Sequence, residues 1–191
     1  MLLDAPTARQ MVDEAASAVS TAPDSFHALL DRLPAPIYVT DNDGIITYFN
    51  DACVALAGRT PECGRDQYCV TWKLYTIEGE FLPHDQCPMA VAIREQRAIR
   101  NVEAIAERPD GTIVNFVPFP TPCFNADGNM AGAVNLLLDI TLQRGPDYLL
   151  SQADKCRRLA LAITDHTATE TLNLMATRYD AQALKLSRAQ H

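Results

Sequence analysis

The stretch Asn125-Ala126-Asp127-Gly128-Asn129-Met130-Ala131-Gly132-Ala133-Val134-Asn135-Leu136-Leu137-Leu138-Asp139-Ile140-Thr141 most constrains the fold of this chain. A turn runs into a long apolar strand that ends at Asp-Ile-Thr before a predicted helix. About 80 residues earlier, Pro36-Ile37-Tyr38-Val39-Thr40-Asp41-Asn42-Asp43-Gly44-Ile45-Ile46-Thr47-Tyr48-Phe49-Asn50 reads strand, turn, strand, Asn. Asn42-Asp43-Gly44 is a strong hairpin signal, because Gly accepts the positive φ that a tight turn demands. The two stretches bracket one domain.

Between them, Asn50 can cap a short helix over 51–57 that ends at Gly58. Residues 59–86 hold Pro61, Gly64, Gly79 and Pro83 and read as irregular. They also hold Tyr68, Trp72, Tyr75 and Phe81, too many aromatics for a solvated loop, which predicts short helical turns packed over a sheet. Asp85 is the expected cap of a helix over 88–96, with Pro88 in its first turn and Met89, Ala92 and Ile93 on its apolar face. Three strands follow at about 101–107, 111–119 and 130–139, the first two joined by Pro109-Asp110-Gly111. Pro118, Pro120 and Pro122 share one parity, so their missing N–H groups lie on one side of the middle strand's extension. Residue 118 counts back to about 101, where the neighbouring strand begins, so the prolines overhang that neighbour and break no ladder.

The flanks are helical. Met11, Val12, Ala15, Ala16 and Val19 recur at helical spacing over residues 7–19. Pro23 or Asp24 can start a second short helix with Phe26, Leu29, Leu30 and Leu33 on one face, stopped by Pro34. After Gly145-Pro146 come two helices joined at Thr164-Asp165. One seam carries Leu149, Ala153, Cys156, Ala160 and Ile163, the other Leu172, Met175, Tyr179, Ala183 and Leu186. Thr167-Ala168-Thr169-Glu170 reads as a capping box. Such a hairpin has a seam that needs a partner surface.

Charge separates these parts. Residues 146–191 hold six basic and five acidic side chains, a net of +1, so residues 1–145 hold −9 of the total −8. An acidic body lacks the basic face that phosphate neutralisation needs, so no nucleic-acid partner is expected. No charged-then-apolar leader opens the chain, and no run nears the ~20 apolar residues of a membrane span. With six cysteines, at 53, 63, 69, 87, 123 and 156, the expectation is a cytoplasmic protein with reduced thiols and no membrane partner.

The order hairpin, helices, three-stranded meander resembles the PAS family of small sensory and interaction modules. The resemblance covers about residues 25–144. It rests on Leu33-Pro34-Ala35-Pro36, Asp41 with Gly44, Asn50, Gly58, Asp110-Gly111, Asp127-Gly128, Gly132 and Asp139-Ile140-Thr141. Trp72-Lys73-Leu74-Tyr75 and Pro83-His84-Asp85 through Pro88-Met89-Ala90 resemble a subgroup common in bacterial signalling proteins. The resemblance implies an α+β fold, a five-stranded antiparallel sheet with helices on one face. Here it would carry an N-terminal helical extension over 1–24 and a C-terminal helical hairpin over 145–191. It also implies a cavity between sheet and helices, dimerisation through flanking helices, and coupling of the cavity through Asp139, Ile140 and Thr141 to the next helix. The competing reading of Asp139 is a strand terminator that caps the following turn.

Under that resemblance Tyr38, Trp72, Met89, Ile93, Phe116, Asn135 and Leu137 are the candidate cavity lining, and the alternative is that they fill a core. Ala133, Asn135 and Leu137 take the face opposite Val134 and Leu136. Asn135 is then a buried amide that needs a partner, either a small apolar or amphipathic ligand or a side chain such as Thr40. Flavin is disfavoured, because no Gly-x-Asn-Cys-Arg-Phe-type stretch is present and Phe116 and Leu137 stand where flavin-binding relatives place amides. Haem is disfavoured because 88–96 holds no histidine; His84 precedes that helix and His27 lies before the first strand. Zinc has a weak candidate set in Cys63, Cys69, His84 and Cys87, without a tight Cys-x-x-Cys knuckle, and thiols packed as small hydrophobes are preferred. No cofactor is predicted.

No Gly-rich phosphate loop, nucleophile elbow or His-Glu-x-x-His is present. The surroundings of His166 do not resemble a phosphoacceptor box, and no residues remain for an ATP-binding domain. Lys155, Arg157 and Arg158 cluster beside Asp154, and two helices are too few for a helix-turn-helix. The expectation is a non-enzymatic PAS sensor or adaptor, homodimeric through 7–33 or 146–188 and docking to a signalling protein such as a kinase or regulator. The alternative is the sensory part of a histidine-kinase or transcription-regulatory pathway carrying haem, flavin or a metal.

Overall fold

The computed structural model describes residues 4–21, 26–141 and 145–189, with backbone alone at 21 and 186–189. Local chemistry sets the first elements. Asp41 Oδ1 accepts from the N–H groups of Asp43 at 3.0 Å and Ile45 at 2.9 Å, and Gly44 takes φ 81°. The chain therefore folds back, and β1 (Ile37–Thr40) pairs with β2 (Ile46–Phe49). Asn50 Oδ1 accepts from Cys53 N at 3.3 Å and caps α3 (Asp51–Ala57), which Gly58 ends at φ 65°.

The remaining strands are β3 (Lys73–Tyr75), β4 (Phe81–Leu82), β5 (Ala104–Glu107), β6 (Ile113–Pro118), β7 (Thr121–Phe124) and β8 (Met130–Asp139). They form an antiparallel sheet in the order β2-β1-β8-β6-β5-β3-β4, with β7 also on β8. The expected five strands are present as β2-β1-β8-β6-β5, but the described sheet has eight. Two local differences account for this. Where short helical turns were expected, Thr76 N bonds Glu80 O at 2.8 Å around Gly79 (φ 89°), making an edge hairpin of β3 and β4. The 111–119 strand, in turn, does not stop at the prolines. Phe119 N donates to Leu136 O at 2.9 Å, and β7 continues the pairing with Pro122 opposite Ala133. The proline nitrogens thus face the β5 side, where the register Ala104–Phe116 shows that β5 has already ended. Asp85 lies in a 3-10 turn (His84–Gln86), and Cys87 takes the cap position of α4 (Pro88–Glu95), without a side-chain bond.

Strand alternation divides the core into layers. On one face Tyr38, Val114, Phe116, Ala133 and Leu137 pack under Leu56 of α3 and Met89 of α4. On the other, Ile37, Val39, Val134, Leu136 and Leu138 meet Val12, Ala15 and Ala16 of α1 (Ala5–Thr21) and Leu30 of α2 (Phe26–Leu30). The expected start of that second helix, at 23–24, lies outside the described residues. Further along the same face, Tyr75, Ile105 and Ile113 meet Leu149, Ala153, Cys156 and Ala160 of α5 (Gly145–Ala162). Leu172, Met175, Tyr179 and Ala183 of α6 (His166–Ala189) complete that cluster; the side chain of Leu186 lies outside the described ones. The seam of the helical hairpin thus finds its partner surface within the chain. The cap of α6 is Asp165, whose Oδ1 accepts from Ala168 N at 2.8 Å, two residues earlier than the expected Thr167 box. No helix among the described residues is long and apolar enough to cross a membrane.

Candidate functional site

The interior between sheet and helices is where a ligand was expected. Tyr38, Met89, Phe116 and Leu137 do meet there in one buried cluster, and Ile93 packs at its margin. Trp72 does not join them. It precedes the first paired residue of β3, the strand next to edge strand β4, and is 53% exposed. Asn135 reaches the interior, but its partner is not Thr40. Its Nδ2 donates to Tyr38 Oη at 2.9 Å, and Tyr38 Oη donates to Tyr68 O at 2.8 Å. Asn135 Oδ1 accepts from Phe119 N at 2.9 Å, while Thr40 Oγ1 is buried without a hydrogen bond among the described residues. Burial, reinforced by the neighbouring thiols Cys69 and Cys87, pushes the Tyr38 hydroxyl well above its ordinary pKa and keeps it a donor. This chain fastens the β6–β7 bend to the loop at Tyr68, which holds a left-handed φ of 63°. The candidate residues that meet there are therefore buried together, with a polar thread running through them. Phe116 and Leu137 are apolar and both ends of the Asn135 amide are taken, so these residues do not fit the polar edge of a flavin.

The four candidate zinc ligands do not converge. Cys63 is exposed, whereas Cys69 and Cys87 are buried near Tyr38. Among the described residues no three His, Cys, Asp or Glu side chains are placed to hold a metal. Burial pushes the Cys87 thiol up to about 12 and that of Cys69 in the same direction. Burial, followed by Arg59, lowers the pKa of His84. His27 stacks on Tyr48 with ring centroids 4.6 Å apart.

At the end of β8, Asp139 Oδ1 accepts from Thr141 N at 2.8 Å. Thr141 Oγ1 accepts from Asn115 N at 2.9 Å, and Ile140 N donates to Asn115 O at 2.9 Å. Asp139 thus caps the turn that ends β8, while Ile140 and Thr141 fasten that turn to the middle of β6. The staple sits just before residues 142–144, which lie outside the described ones, and α5.

The most charged contact in this region was not anticipated. Glu107, the last residue of β5, is only 5% exposed. Lys73 Nζ lies 3.3 Å from its Oε1, Tyr75 Oη donates to Oε2 at 2.9 Å, and Arg178 Nη1 of α6 stands 2.5 Å from Oε2. The Arg178 contact is ionic and not an aligned hydrogen bond. Burial alone would raise the carboxyl pKa, but the Tyr75 hydroxyl, Arg178 and Lys73 together outweigh it and hold it below the usual range. Gln182 Nε2 donates to Ile113 O at 2.7 Å, and Lys155 Nζ donates to Ile77 O at 3.2 Å. Against these contacts stand Tyr179 Oη and Gln182 Oε1, both buried without a partner among the described residues. Each such group costs about 1–3 kcal/mol. The hairpin is therefore held by an apolar seam, one charged centre and the Gln182 and Lys155 hydrogen bonds, and loosened by the two unsatisfied atoms. The sequence carried one hint of this: Glu107 follows Ala104-Ile105-Ala106 in a predicted strand, an acidic residue continuing an apolar run.

The PAS-domain family model matches residues 34–142. No curated protein matches the chain. Among solved structures it is similar to the Rhodobacter sphaeroides LOV protein, at 13% identity over 94% of this chain and 98% of that one, with a TM-score of 0.46. The PAS domain of a Colwellia psychrerythraea protein is 22% identical over 60% of this chain and 93% of its own, with a TM-score of 0.43. The PAS domain of Bordetella pertussis BvgS is 21% identical over 60% and 82%, with a TM-score of 0.42.

Proposed function

This chain belongs to the PAS-domain family, and on that premise we propose that it is a non-enzymatic sensor or adaptor in signal transduction whose α5–α6 hairpin is the output element. The observation that carries this reading is the ion pair from Arg178 to the buried Glu107. Any docked helix has an undocked alternative at some free-energy cost. One tied through a charge centre, with orphaned polar atoms beside it, sits close to an alternative. Leu149, Cys156, Leu172 and Met175 form the apolar surface now turned to the sheet. Released, the same surface suits a second copy of this chain, giving a homodimer, or a signalling partner such as a kinase or regulator. The Asp139-Ile140-Thr141 staple is the joint through which a change in the sheet reaches α5. The setting in this reading is the cytoplasm, in keeping with six cysteines.

Sedimentation of wild type beside Glu107→Gln tests the proposal. Loosening the hairpin should raise self-association, or capture of a partner, in a concentration-dependent way. Unchanged association despite a demonstrably loosened hairpin would remove the hairpin from the output pathway.

A further inference from the structure

We infer that the groove between the β3–β4 edge and the tip of the α5–α6 hairpin binds a small organic cation with an apolar body. The groove encloses 770 Å³, within the roughly 300–1,000 Å³ of small-molecule sites. Its floor is apolar, built from Tyr75 of the sheet and Leu159 and Leu172 of the hairpin. Phe81 forms a wall and is 59% exposed, a large apolar surface left open on an edge strand. Its ring stands at 76° to that of the buried Tyr75, with centroids 5.9 Å apart, and the corner the two make offers a ligand chiefly the open Phe81 ring. An ammonium group against such rings gains about 0.5–2 kcal/mol.

The rim supplies the charge. Glu78 and Glu80 line one side, and neither carboxylate has an ionic partner among the described residues. Asp165 lines the other side and uses one oxygen to cap α6. The one basic lining residue, Lys73, is already drawn to Glu107 at 3.3 Å. An anion would meet uncompensated carboxylates here, and a neutral apolar molecule would desolvate them without return. A cation satisfies both the rim and the corner. Because the ligand would touch the sheet edge and the hairpin together, its binding favours the docked state. That consequence rests on the sensory reading above, whereas binding itself does not.

Titration calorimetry of the full chain decides the matter, using decyltrimethylammonium below its micellar concentration, with decyl sulfate and decyl maltoside as anionic and neutral probes of equal chain length. The cation should bind saturably, about tenfold or more tighter than either control, through cation–π and carboxylate contacts. Phe81→Ala and the double variant Glu78→Gln/Glu80→Gln alter exposed side chains and should each weaken it about fivefold or more by the same contacts. No saturable binding, equal affinity for decyl sulfate, or unchanged affinity in both variants overturns the inference. Amide exchange along α6 in the ligand-free protein tests the sensory reading separately.

Discussion

Arg178 Nη1 stands 2.5 Å from Glu107 Oε2, so a helix near the C-terminus reaches a carboxylate buried in the sheet. Glu107 ends β5 and Arg178 lies midway along α6, and Tyr75 and Lys73 complete the carboxylate's surroundings. Removing the charge leaves two cations facing a neutral amide. Glu107→Gln should therefore cost about 3 kcal/mol, the low end for breaking a buried pair, since Arg178 keeps some water access. Denaturant titration should show the loss, and adding Arg178→Gln should cost less than the two single effects combined. Strict additivity would mean that the residues do not interact.

Acid should act through the same carboxyl. Its folded pKa is held below the ordinary carboxylate value, so its ionised form adds stability that is complete above that value. This stability disappears as pH falls through the lower, folded pKa. Thermal melts should show no Glu107 contribution to pH dependence between pH 7 and about 5, then a decline below about pH 4. Glu107→Gln should flatten that acid limb. An acid limb of equal depth in the variant would assign it to other groups.

Tyr179 makes the opposite kind of prediction. Its ring is fully buried in the seam and its hydroxyl has no partner among the described residues. Tyr179→Phe should raise stability by about 1 kcal/mol, because an unsatisfied buried group is removed and the packing stays. Tyr179→Ala should lower it by about 3–5 kcal/mol through the cavity it leaves. A destabilising Tyr179→Phe would show that the hydroxyl does have a partner.

The Tyr38–Asn135 contact predicts coupling within the core. Tyr38→Phe and Asn135→Ala each break the thread from Phe119 N to Tyr68 O and should cost about 1–3 kcal/mol. Measured as a double-mutant cycle, they should show an interaction of about 1 kcal/mol. Independent effects would leave the strained Tyr68 turn without this support.

The thiols should separate by access. Cys63 is exposed, whereas Cys53, Cys69 and Cys87 are buried and burial raises all three pKa values. Brief iodoacetamide treatment at about pH 8 should label Cys63, whose pKa is also raised but whose sulfur the reagent can reach, and spare the other three, which it cannot. Rapid labelling of Cys69 or Cys87 in the folded protein would mean that the core opens readily.

What could be read from the sequence was what short-range chemistry decides. The Asp43-Gly44 turn, the Asn50 cap, the Gly58 stop and the inward parity of Ala133, Asn135 and Leu137 each depend on residues a few positions apart. The mismatches depend on contacts between distant segments. Asn135 found Tyr38 and not Thr40 because β1 and β8 pair in the register Tyr38–Asn135, which spacing alone does not set. Trp72 and Phe81 suggested burial by their size, yet the short β3–β4 pair leaves both at an open edge. The acidic Glu107 continuing the Ala104–Ala106 apolar run was a hint, but its pairing with Arg178 needed the docking of α6, which no local signal in either segment encodes.

Native-state hydrogen exchange on wild type and Glu107→Gln tests the central claim most directly. If the hairpin is a separable output element, amides of α6 will exchange through an opening of lower free energy than those of β8. Glu107→Gln will then speed exchange along α6 while leaving β1 and β8 unchanged. Equal opening energies for α6 and β8, shifting together in the variant, would mean that hairpin and sheet open as one unit and would contradict the claim.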